Sequence, residues 1–412
     1  MLQGKELVKN LFKQYYRWNA LKIQIPDQFD KREFGFILFD KEEQMFRHIS
    51  FKRKEDIFHF FKEKYPKHAY FSTAYYANPE IPVMGEKGWL GANLVFDIDI
   101  DHIPTSCKNM HDRWFCLNCG FKGNGMIPVK CPKCGSERIK KETWVCEKCI
   151  EIAKNYTLKL IDLLIDIFGF SLNEMKIVFS GHRGFHVHII SNDIMELDQR
   201  GRREIVNFVK GEGLIQYILD RIKAQGVFNL SVDMNGWYSK LAKTLYELFL
   251  TQNIDFLKKE IGISKKSLEF LKNNKEKMLR NFERTLTWKL PLSFNEEDLK
   301  RILNYAISKN NIPIDERVTI DIRRLIRVIN SLHGKTGFRV IQISYQDLEL
   351  FSLKKAIIFN KPEYIKLHWE NPPSYLLDYK LNISNKIHTL PFYIGIYVIE
   401  NHVFNVEILD IV

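Results

Sequence analysis

The sequence has no run of about 18 apolar residues, the length that a helix needs to cross a bilayer, so no membrane span is predicted. The first residues, Met1–Leu7, lack the apolar stretch of a signal peptide. Internal repeats, low-complexity segments and long linkers are also missing, which argues against a repeat array. These absences predict an intracellular, cytoplasmic protein with no contact to a membrane.

Cysteine is absent outside one short segment, since all seven fall between Cys107 and Cys149. In a long intracellular chain, such clustering indicates metal ligands rather than disulfides. In the middle of the segment, two Cys-x-x-Cys pairs are each followed by glycine, as in zinc ribbons that close a structural site with four thiolates. The ligands of this predicted zinc ribbon are Cys116, Cys119, Cys131 and Cys134.

The other metal ligands flank the ribbon. They form a second set of three thiolates and one imidazole, which consists of Cys107, His111, Cys146 and Cys149. This nested arrangement is favoured by the spacing. A rival arrangement pairs Cys131/Cys134 with Cys146/Cys149 and leaves the remaining ligands together. Spacing alone therefore predicts one or two structural zinc ions.

The composition favours a large core and a polyanionic partner. The chain has 412 residues, of which 45% are hydrophobic, so two or three domains or one elaborated domain can be built. Its formal net charge of +12 suits nucleic acid first among polyanions.

Two aspartates follow an apolar run, Leu94–Phe96, which predicts a buried β-strand. Because strand side chains alternate, Asp97 and Asp99 point to one face, about 6.5–7 Å apart. Carboxylates this close repel each other unless cations lie between them. A pair of Mg²⁺ or Mn²⁺ ions about 3.5–4 Å apart would relieve the repulsion and clamp phosphoryl transfer. The alternative is a strand end with two solvated acids.

A turn joins two predicted strands, Lys176–Ser180 and Phe185–Ser191. Its glycines let a ligand approach the backbone closely. Ser180, Arg183 and His186 offer a hydroxyl, a guanidinium and an imidazole, which suit the oxygens of a triphosphate. The alternative is a polar turn beside solvated histidines.

One acid, Asp321, lies in the apolar segment 318–322, which predicts another strand. A carboxylate among apolar neighbours is costly unless it is paired or bound to a metal. Asp321 is therefore a candidate third carboxylate for the ions of Asp97 and Asp99, with a salt bridge to a nearby arginine as the alternative. The basic residues that follow it suit phosphates: Arg323, Arg324 and Arg327.

Charged, helix-forming stretches replace the strand patterns between about residues 198 and 311. We expect this region to be a helical insertion. The predicted catalytic core then consists of residues 1–106, 150–197 and 312–412, with a zinc-binding module at residues 107–149.

Taken in order, the motifs resemble the small, catalytic subunit of archaeal and eukaryotic DNA primases, within the archaeo-eukaryotic primase superfamily, and the archaeal branch is the more similar. The resemblance covers about residues 32–340. It rests on Arg32-Glu33-Phe34-Gly35-Phe36, Asp97-Ile98-Asp99, the segment Ser180 to His186, and Asp321 through Arg327 to the segment Ser331-Leu332-His333-Gly334-Lys335-Thr336-Gly337.

This resemblance implies an α/β (α+β) fold with a mixed-sheet core flanked by helices. It implies that Asp97, Asp99 and Asp321 hold two Mg²⁺ or Mn²⁺ ions. It also implies a set of residues that contact the phosphates of the incoming nucleotide, which are Ser180, Arg183, His186, Arg327 and His333. Cys107, His111, Cys146 and Cys149 match the family's zinc site, and the four ribbon cysteines depart from the family as an extra module.

By resemblance, the chain is expected to synthesise short primers de novo on single-stranded DNA from nucleoside triphosphates, during replication at the nucleoid. The expected partner is a large subunit with an iron–sulfur domain, in a heterodimer. Two other functions stay open on the sequence alone. One is a repair or translesion polymerase of the same superfamily, and the other is a non-catalytic zinc-ribbon protein that binds nucleic acid.

Overall fold

The structure is a computed structural model that describes residues 2–41, 44–370, 372–377, 379–401 and 406–412. Its helices are α1 (Leu2–Asn19), α2 (Lys54–Lys64), α3 (Lys108–His111), α4 (Glu147–Asp166), α5 (Asn192–Met195), α6 (Gln199–Lys210), α7 (Leu214–Gln225), α8 (Trp237–Thr251), α9 (Ile254–Phe256), α10 (Lys265–Thr285), α11 (Glu296–Asn310), α12 (Glu316–Ile320), α13 (Tyr345–Leu348) and α14 (Phe392–Asn401).

The strands are β1 (Phe34–Ile37), β2 (Met45–Ile49), β3 (His68–Ser72), β4 (Ala74–Tyr76), β5 (Trp89–Ala92), β6 (Leu94–Asp99), β7 (Arg113–Cys116), β8 (Lys122–Asn124), β9 (Ile139–Glu142), β10 (Met175–Phe179), β11 (Gly184–Ile189), β12 (Phe228–Ser231), β13 (Thr287–Leu290), β14 (Leu325–Arg327), β15 (Ile341–Ile343), β16 (Tyr364–Trp369), β17 (Tyr375–Leu376), β18 (Tyr379–Lys380), β19 (Ile387–Pro391) and β20 (Val406–Ile411). The predicted α/β class is confirmed. In the described residues every strand pair is antiparallel, so the individual sheets are not mixed.

The chain forms two compact units. One comprises residues 1–158, 171–202 and 314–412, and the other comprises residues 159–170 and 203–313. The first unit contains two four-stranded sheets, with strand orders β15-β10-β11-β6 and β14-β3-β1-β2. The second unit packs helices α7, α8, α10 and α11 with the ribbon β12–β13 around an apolar core that includes Trp237, Leu245 and Trp288. No helix within the described ranges combines the length and apolar content that a bilayer span requires.

The sheet β15-β10-β11-β6 places the acidic strand beside the turn after β10. Strand β6 pairs with β11 so that Asp97 lies opposite His186 and Asp99 lies opposite Gly184. Leu94, Val95, Phe96 and Ile98 are fully buried, and this apolar burial holds the strand in place. A Cβ at Gly184 would overlap the carbonyl oxygen of Ile98, so the close approach of these strands requires glycine.

Strand β14 of the other sheet supplies a basic residue. It pairs with β3 so that Arg327 lies opposite Tyr70. The Arg327 guanidinium lies 4.9 Å from the centre of the Tyr70 ring, which is a favourable cation–π distance.

The strand predicted at residues 318–322 is wrong, because the chain forms helix α12 there. Asp315 precedes the helix and its side chain accepts a hydrogen bond from the Arg317 N–H at 3.0 Å, which satisfies a donor that the helix leaves unpaired. The β-branched residues that suggested a strand, Val318 and Thr319, are buried on one side of this short helix. Asp321 ends the helix and accepts from the Arg323 N–H at 2.9 Å.

Replacing Gly184 with alanine should destabilise the protein by about 1–3 kcal/mol, because the added methyl group forces β6 and β11 apart. Chemical unfolding of the full chain measures this change. Gly85→Ala is the matched control, since nothing lies within 4 Å of the added Cβ there. Equal stability of the two variants would contradict the described packing.

Candidate active site and metal centres

Two carboxylates share one face at the end of β6, and the charge of a third acid, Asp315, acts on Asp97. The Asp97 side chain is 16% exposed, and its Oδ1 lies 3.6 Å from Nε2 of His186. The backbone carbonyl of Asp97 accepts a hydrogen bond from the Asp315 N–H at 2.9 Å, which brings the start of α12 against the acidic strand. Asp99 follows on the same face of the strand and accepts from the Asp101 N–H at 2.8 Å.

The cluster is electrostatically unfavourable. Burial raises the pKa of Asp97 well above its ordinary value, and repulsion from Asp99 and Asp315 raises it further, against the opposing charges of Arg324 and Arg327. Burial also raises the pKa of Asp99, with repulsion from Asp101 next in size. Oxygen ligands with excess negative charge are what Mg²⁺ and Mn²⁺ prefer in proteins, so the donor set fits divalent ions.

Asp315, rather than the predicted Asp321, is the third acid that acts on Asp97. The charge of Asp321 acts instead on Tyr76 and Arg202. The sequence signal for Asp315 was its position before a short helix, which the strand prediction for this stretch concealed. The strand prediction drew attention to Asp321, and its role as a metal ligand stays a prediction.

The turn after β10 meets the segment 333–337. The hydroxyl of Thr336 donates to the carbonyl of Gly181 at 2.6 Å, and the rings of His182 and His333 stack with centres 5.1 Å apart. Ser180 is nearly buried and its hydroxyl accepts from the His182 N–H at 3.4 Å. Two motifs that are far apart in sequence thus form one wall of a pocket.

This pocket is lined by acidic side chains together with basic, imidazole and hydroxyl groups. Its polar lining residues are Tyr70, Asp97, Asp99, Asp101, Lys141, Thr143, Ser180, His182, His186, Arg324, Arg327, His333 and Lys335. Of the residues predicted to contact phosphates, Ser180, His186, Arg327 and His333 lie here. Arg324, one of the basic residues predicted to suit phosphates, also lies here, whereas the sequence motifs gave no role to His182, which lies inside the Ser180–His186 segment, or to Lys141.

The histidines of the pocket are neutral near pH 7. Burial lowers the pKa of His186, with His188 next in effect, and burial together with Arg327 lowers that of His333. Burial and Arg183 lower the pKa of His182 to about 3. Arg327 donates from Nη1 to Nδ1 of His68 at 2.9 Å, which fixes its guanidinium in place. The fixed positive charges in the pocket therefore come from arginine and lysine.

Arg183 is placed differently from the prediction. Its side chain is 1% exposed. Nη1 donates to both oxygens of Asp112 at 2.8 Å and to the carbonyl of Trp144 at 3.0 Å, while Nη2 donates to Asp101. Most of its donors are thus bound within the protein rather than directed into the pocket.

Two groups of cysteine and histidine could each hold a metal ion, with ligand atoms within 4.8 Å of one another in each group. The structure assembles the nested sets of the sequence analysis and not the rival pairing. The groups are Cys107, His111, Cys146 and Cys149, which are all buried, and Cys116, Cys119, Cys131 and Cys134. Sulfur–sulfur distances of 3.5 Å (Cys107 to Cys149) and 3.7 Å (Cys119 to Cys131) suit a tetrahedral centre with metal–sulfur bonds of about 2.3 Å.

Known proteins resemble this chain over nearly its whole length. A sequence model of the family described as DNA primase small subunit matches residues 132–345. The DNA primase small subunit PriS of Methanosarcina acetivorans is 31% identical, and the alignment covers 96% of this chain and 94% of that protein. The PriS proteins of Picrophilus torridus and Pyrobaculum aerophilum are each 32% identical, over 92% and 95% of this chain and 90% and 96% of their own.

The chain belongs to the DNA primase small subunit family. It is accordingly an enzyme of DNA replication, the catalytic subunit of a primase, and the two other functions left open by the sequence are not favoured. Membership of this family implies the use of metal ions, DNA and nucleotides as substrates, and a large-subunit partner.

In buffer free of Mg²⁺ and Mn²⁺, Asp97→Asn should stabilise this primase subunit at neutral pH. When a carboxyl has a higher pKa in the folded state than in the unfolded state, it does not affect the free energy of unfolding at pH values below both pKa values. As the pH rises from the unfolded pKa to the folded pKa, the carboxyl lowers the free energy of unfolding, and this loss persists at higher pH. The gain from Asp97→Asn should therefore be absent near pH 3.5 and present at pH 7. Urea unfolding at both pH values measures it, with the exposed Asp193→Asn as control. A loss of stability at pH 7 would contradict the described repulsion.

Proposed function

We propose that this subunit synthesises primers de novo by two-metal nucleotidyl transfer at the cluster of Asp97, Asp99 and Asp315. The observation that carries the proposal is the placement of Asp97 and Asp99 on one face of β6 in a basic pocket, with Asp315 hydrogen-bonded to the Asp97 carbonyl. Asp315 takes the place that the sequence analysis gave to Asp321. Two Mg²⁺ or Mn²⁺ ions, when bound, would lower the pKa of the attacking hydroxyl and stabilise the departing pyrophosphate.

The basic side of the pocket would bind the triphosphate. Arg327 and Lys335 supply fixed charge, while the hydroxyl of Ser180 and the imidazoles of His186 and His333 supply hydrogen bonds. Burial, with Lys141 next in effect, lowers the pKa of Lys335, so a bound anion would favour its charged form. These groups would orient the α-phosphate toward the carboxylates at the end of β6.

In the proposed reaction, the 3′-hydroxyl oxygen of one nucleotide forms a bond to the α-phosphorus of another. The bond between the α-phosphorus and the bridging oxygen breaks, pyrophosphate leaves with that electron pair, and the hydroxyl proton passes to water. No side-chain nucleophile is required, so the protein acts by positioning and by charge. The three aspartates hold the acidic side and the arginine and lysine groups neutralise the phosphates.

The two cysteine-rich sets are proposed to hold structural zinc. Four protein ligands close each set, which leaves no open position for a reacting group. His111, Cys107, Cys146 and Cys149 would form the core site, and the four ribbon cysteines would order the inserted hairpin. Zinc binding of this kind contributes on the order of 10–16 kcal/mol to the ordering of a module.

The proposed substrates are a single-stranded DNA template and ribo- or deoxynucleoside triphosphates. We also propose a heterodimer with a large subunit that carries the iron–sulfur cluster, working at the nucleoid. All seven cysteines of this chain fall in the two zinc sets, which supports the placement of that cluster on the partner.

Asp97→Asn and Asp315→Asn should each reduce primer synthesis by about 100-fold or more, because loss of a metal ligand removes several kcal/mol of transition-state stabilisation. Asp321→Asn should retain activity within a few fold. The assay is synthesis on single-stranded DNA with no primer supplied, which also separates a primase from a repair polymerase. Normal synthesis by Asp97→Asn would refute the proposed site. An inactive Asp321→Asn with an active Asp315→Asn would return the third carboxylate to Asp321.

Metal analysis of the purified protein should find two zinc ions per chain, one for each cysteine-rich set. The double variant Cys116→Ser and Cys131→Ser should keep one zinc ion, since the core set shares no ligand with the ribbon. Elemental analysis by mass spectrometry gives the stoichiometry. Retention of both ions, or loss of both, would contradict two independent sites.

A further inference from the structure

A continuous chain of polar contacts joins the core cysteine–histidine set to the acidic strand. Nδ1 of His111 lies 2.8 Å from Oδ1 of Asp112, and both oxygens of Asp112 accept from Arg183 at 2.8 Å. Arg183 also donates to Asp101, whose N–H donates to the Asp99 carboxylate at 2.8 Å. This series of contacts therefore ends at Asp99, a proposed ligand of the catalytic ions.

Asp112 contacts both the metal-binding His111 and Arg183 in this series of polar contacts. Its contact with Nδ1 of His111 leaves Nε2 facing the thiol of Cys149, at 3.4 Å. A carboxylate on the far nitrogen of a metal-binding histidine fixes the tautomer and the ring orientation. Asp112 is 2% exposed and also accepts from the Trp144 N–H at 3.1 Å, so its position is well determined.

Arg183 is suited to a connecting role by its shape. One planar guanidinium spans two carboxylates that belong to different segments, Asp112 beside the metal set and Asp101 beyond β6. Its own backbone carbonyl accepts from the Ile100 N–H at 3.4 Å. Side chain and main chain of Arg183 thus both hold the residues that follow Asp99.

We propose that Asp112 and Arg183 are positioning residues that transmit the metal-bound conformation of His111 to the catalytic carboxylate Asp99. This inference rests on the proposed two-metal site. It assigns Arg183 to the placement of Asp101 and Asp99 rather than to contact with the triphosphate. Loss of the ion held by Cys107, His111, Cys146 and Cys149 frees Asp112, and the end of β6 then loses its support.

The first test compares Asp112→Asn and Arg183→Lys with the wild type in the full chain. Asparagine keeps the size of Asp112 but not its charge, and lysine keeps the charge of Arg183 but not its fork. Arg113→Lys is the matched control, since Arg113 forms a similar pair with Glu142 at 2.6 Å that does not reach Asp101. The readouts are zinc content, the dissociation constant for Mn²⁺, and kcat and KM for the nucleotide.

We expect the dissociation constant for Mn²⁺ to rise about tenfold and kcat to fall in both test variants, with KM for the nucleotide changed less than threefold. Metal sites typically lose about 10–100-fold in affinity or activity when such supporting contacts are removed. The control should match the wild type. An unchanged Mn²⁺ affinity with a raised KM for Arg183→Lys would overturn the proposal, because it would place Arg183 on the phosphates.

A second measurement needs no substitution. Removal of zinc from the wild-type protein with a chelator should abolish hydrogen-exchange protection of the Asp101 amide and of residues 180–184. Hydrogen-exchange protection of the strand pair β12–β13, in the second compact unit, should persist. Retained protection at Asp101 after zinc loss would overturn the proposal. If Asp97→Asn leaves Mn²⁺ binding unchanged, the two-metal site itself fails, and that result is distinct from either outcome above.

Discussion

Mutual repulsion among carboxylates at the end of β6 is the constraint on which the rest of the site depends. Asp97 lies in a largely buried position with Asp99 and Asp315 acting on it, and Arg324 and Arg327 offset only part of the excess charge. Burial of uncompensated charge is costly, and bound divalent cations would offset that cost. The repulsion is therefore the physical basis for our assignment of two divalent ions to this position.

The fold holds the carboxylates in place through backbone contacts and one buried charge pair. Pairing of β6 with β11 depends on the missing side chain of Gly184, and the hydrogen bond between Asp315 and the Asp97 carbonyl fixes the start of α12. The buried pair of Arg183 and Asp112 connects the strand end to the metal set. A buried charge pair of this kind is weak evidence for stability. We infer that it fixes the geometry of the strand end.

The sequence alone predicted those parts of the site that depend on local periodicity. A spacing of two residues places Asp97 and Asp99 on one face of a strand, and the nested cysteine spacing matches the sets that the structure assembles. Prediction from the sequence failed where tertiary packing overrides a local sequence pattern. The β-branched residues near Asp321 suggested a strand, whereas capping by Asp315 and burial of one side produce a helix. The engagement of Arg183 with distant carboxylates could not be read from its turn motif.

Anomalous diffraction from crystals of the protein with Mn²⁺ and a non-hydrolysable nucleoside triphosphate tests the central claim most directly. The account predicts two manganese peaks about 3.5–4 Å apart, coordinated by Asp97, Asp99 and Asp315, with the phosphates of the nucleotide against Arg327 and Lys335. A single peak away from Asp97, or no peak at the end of β6, would contradict it.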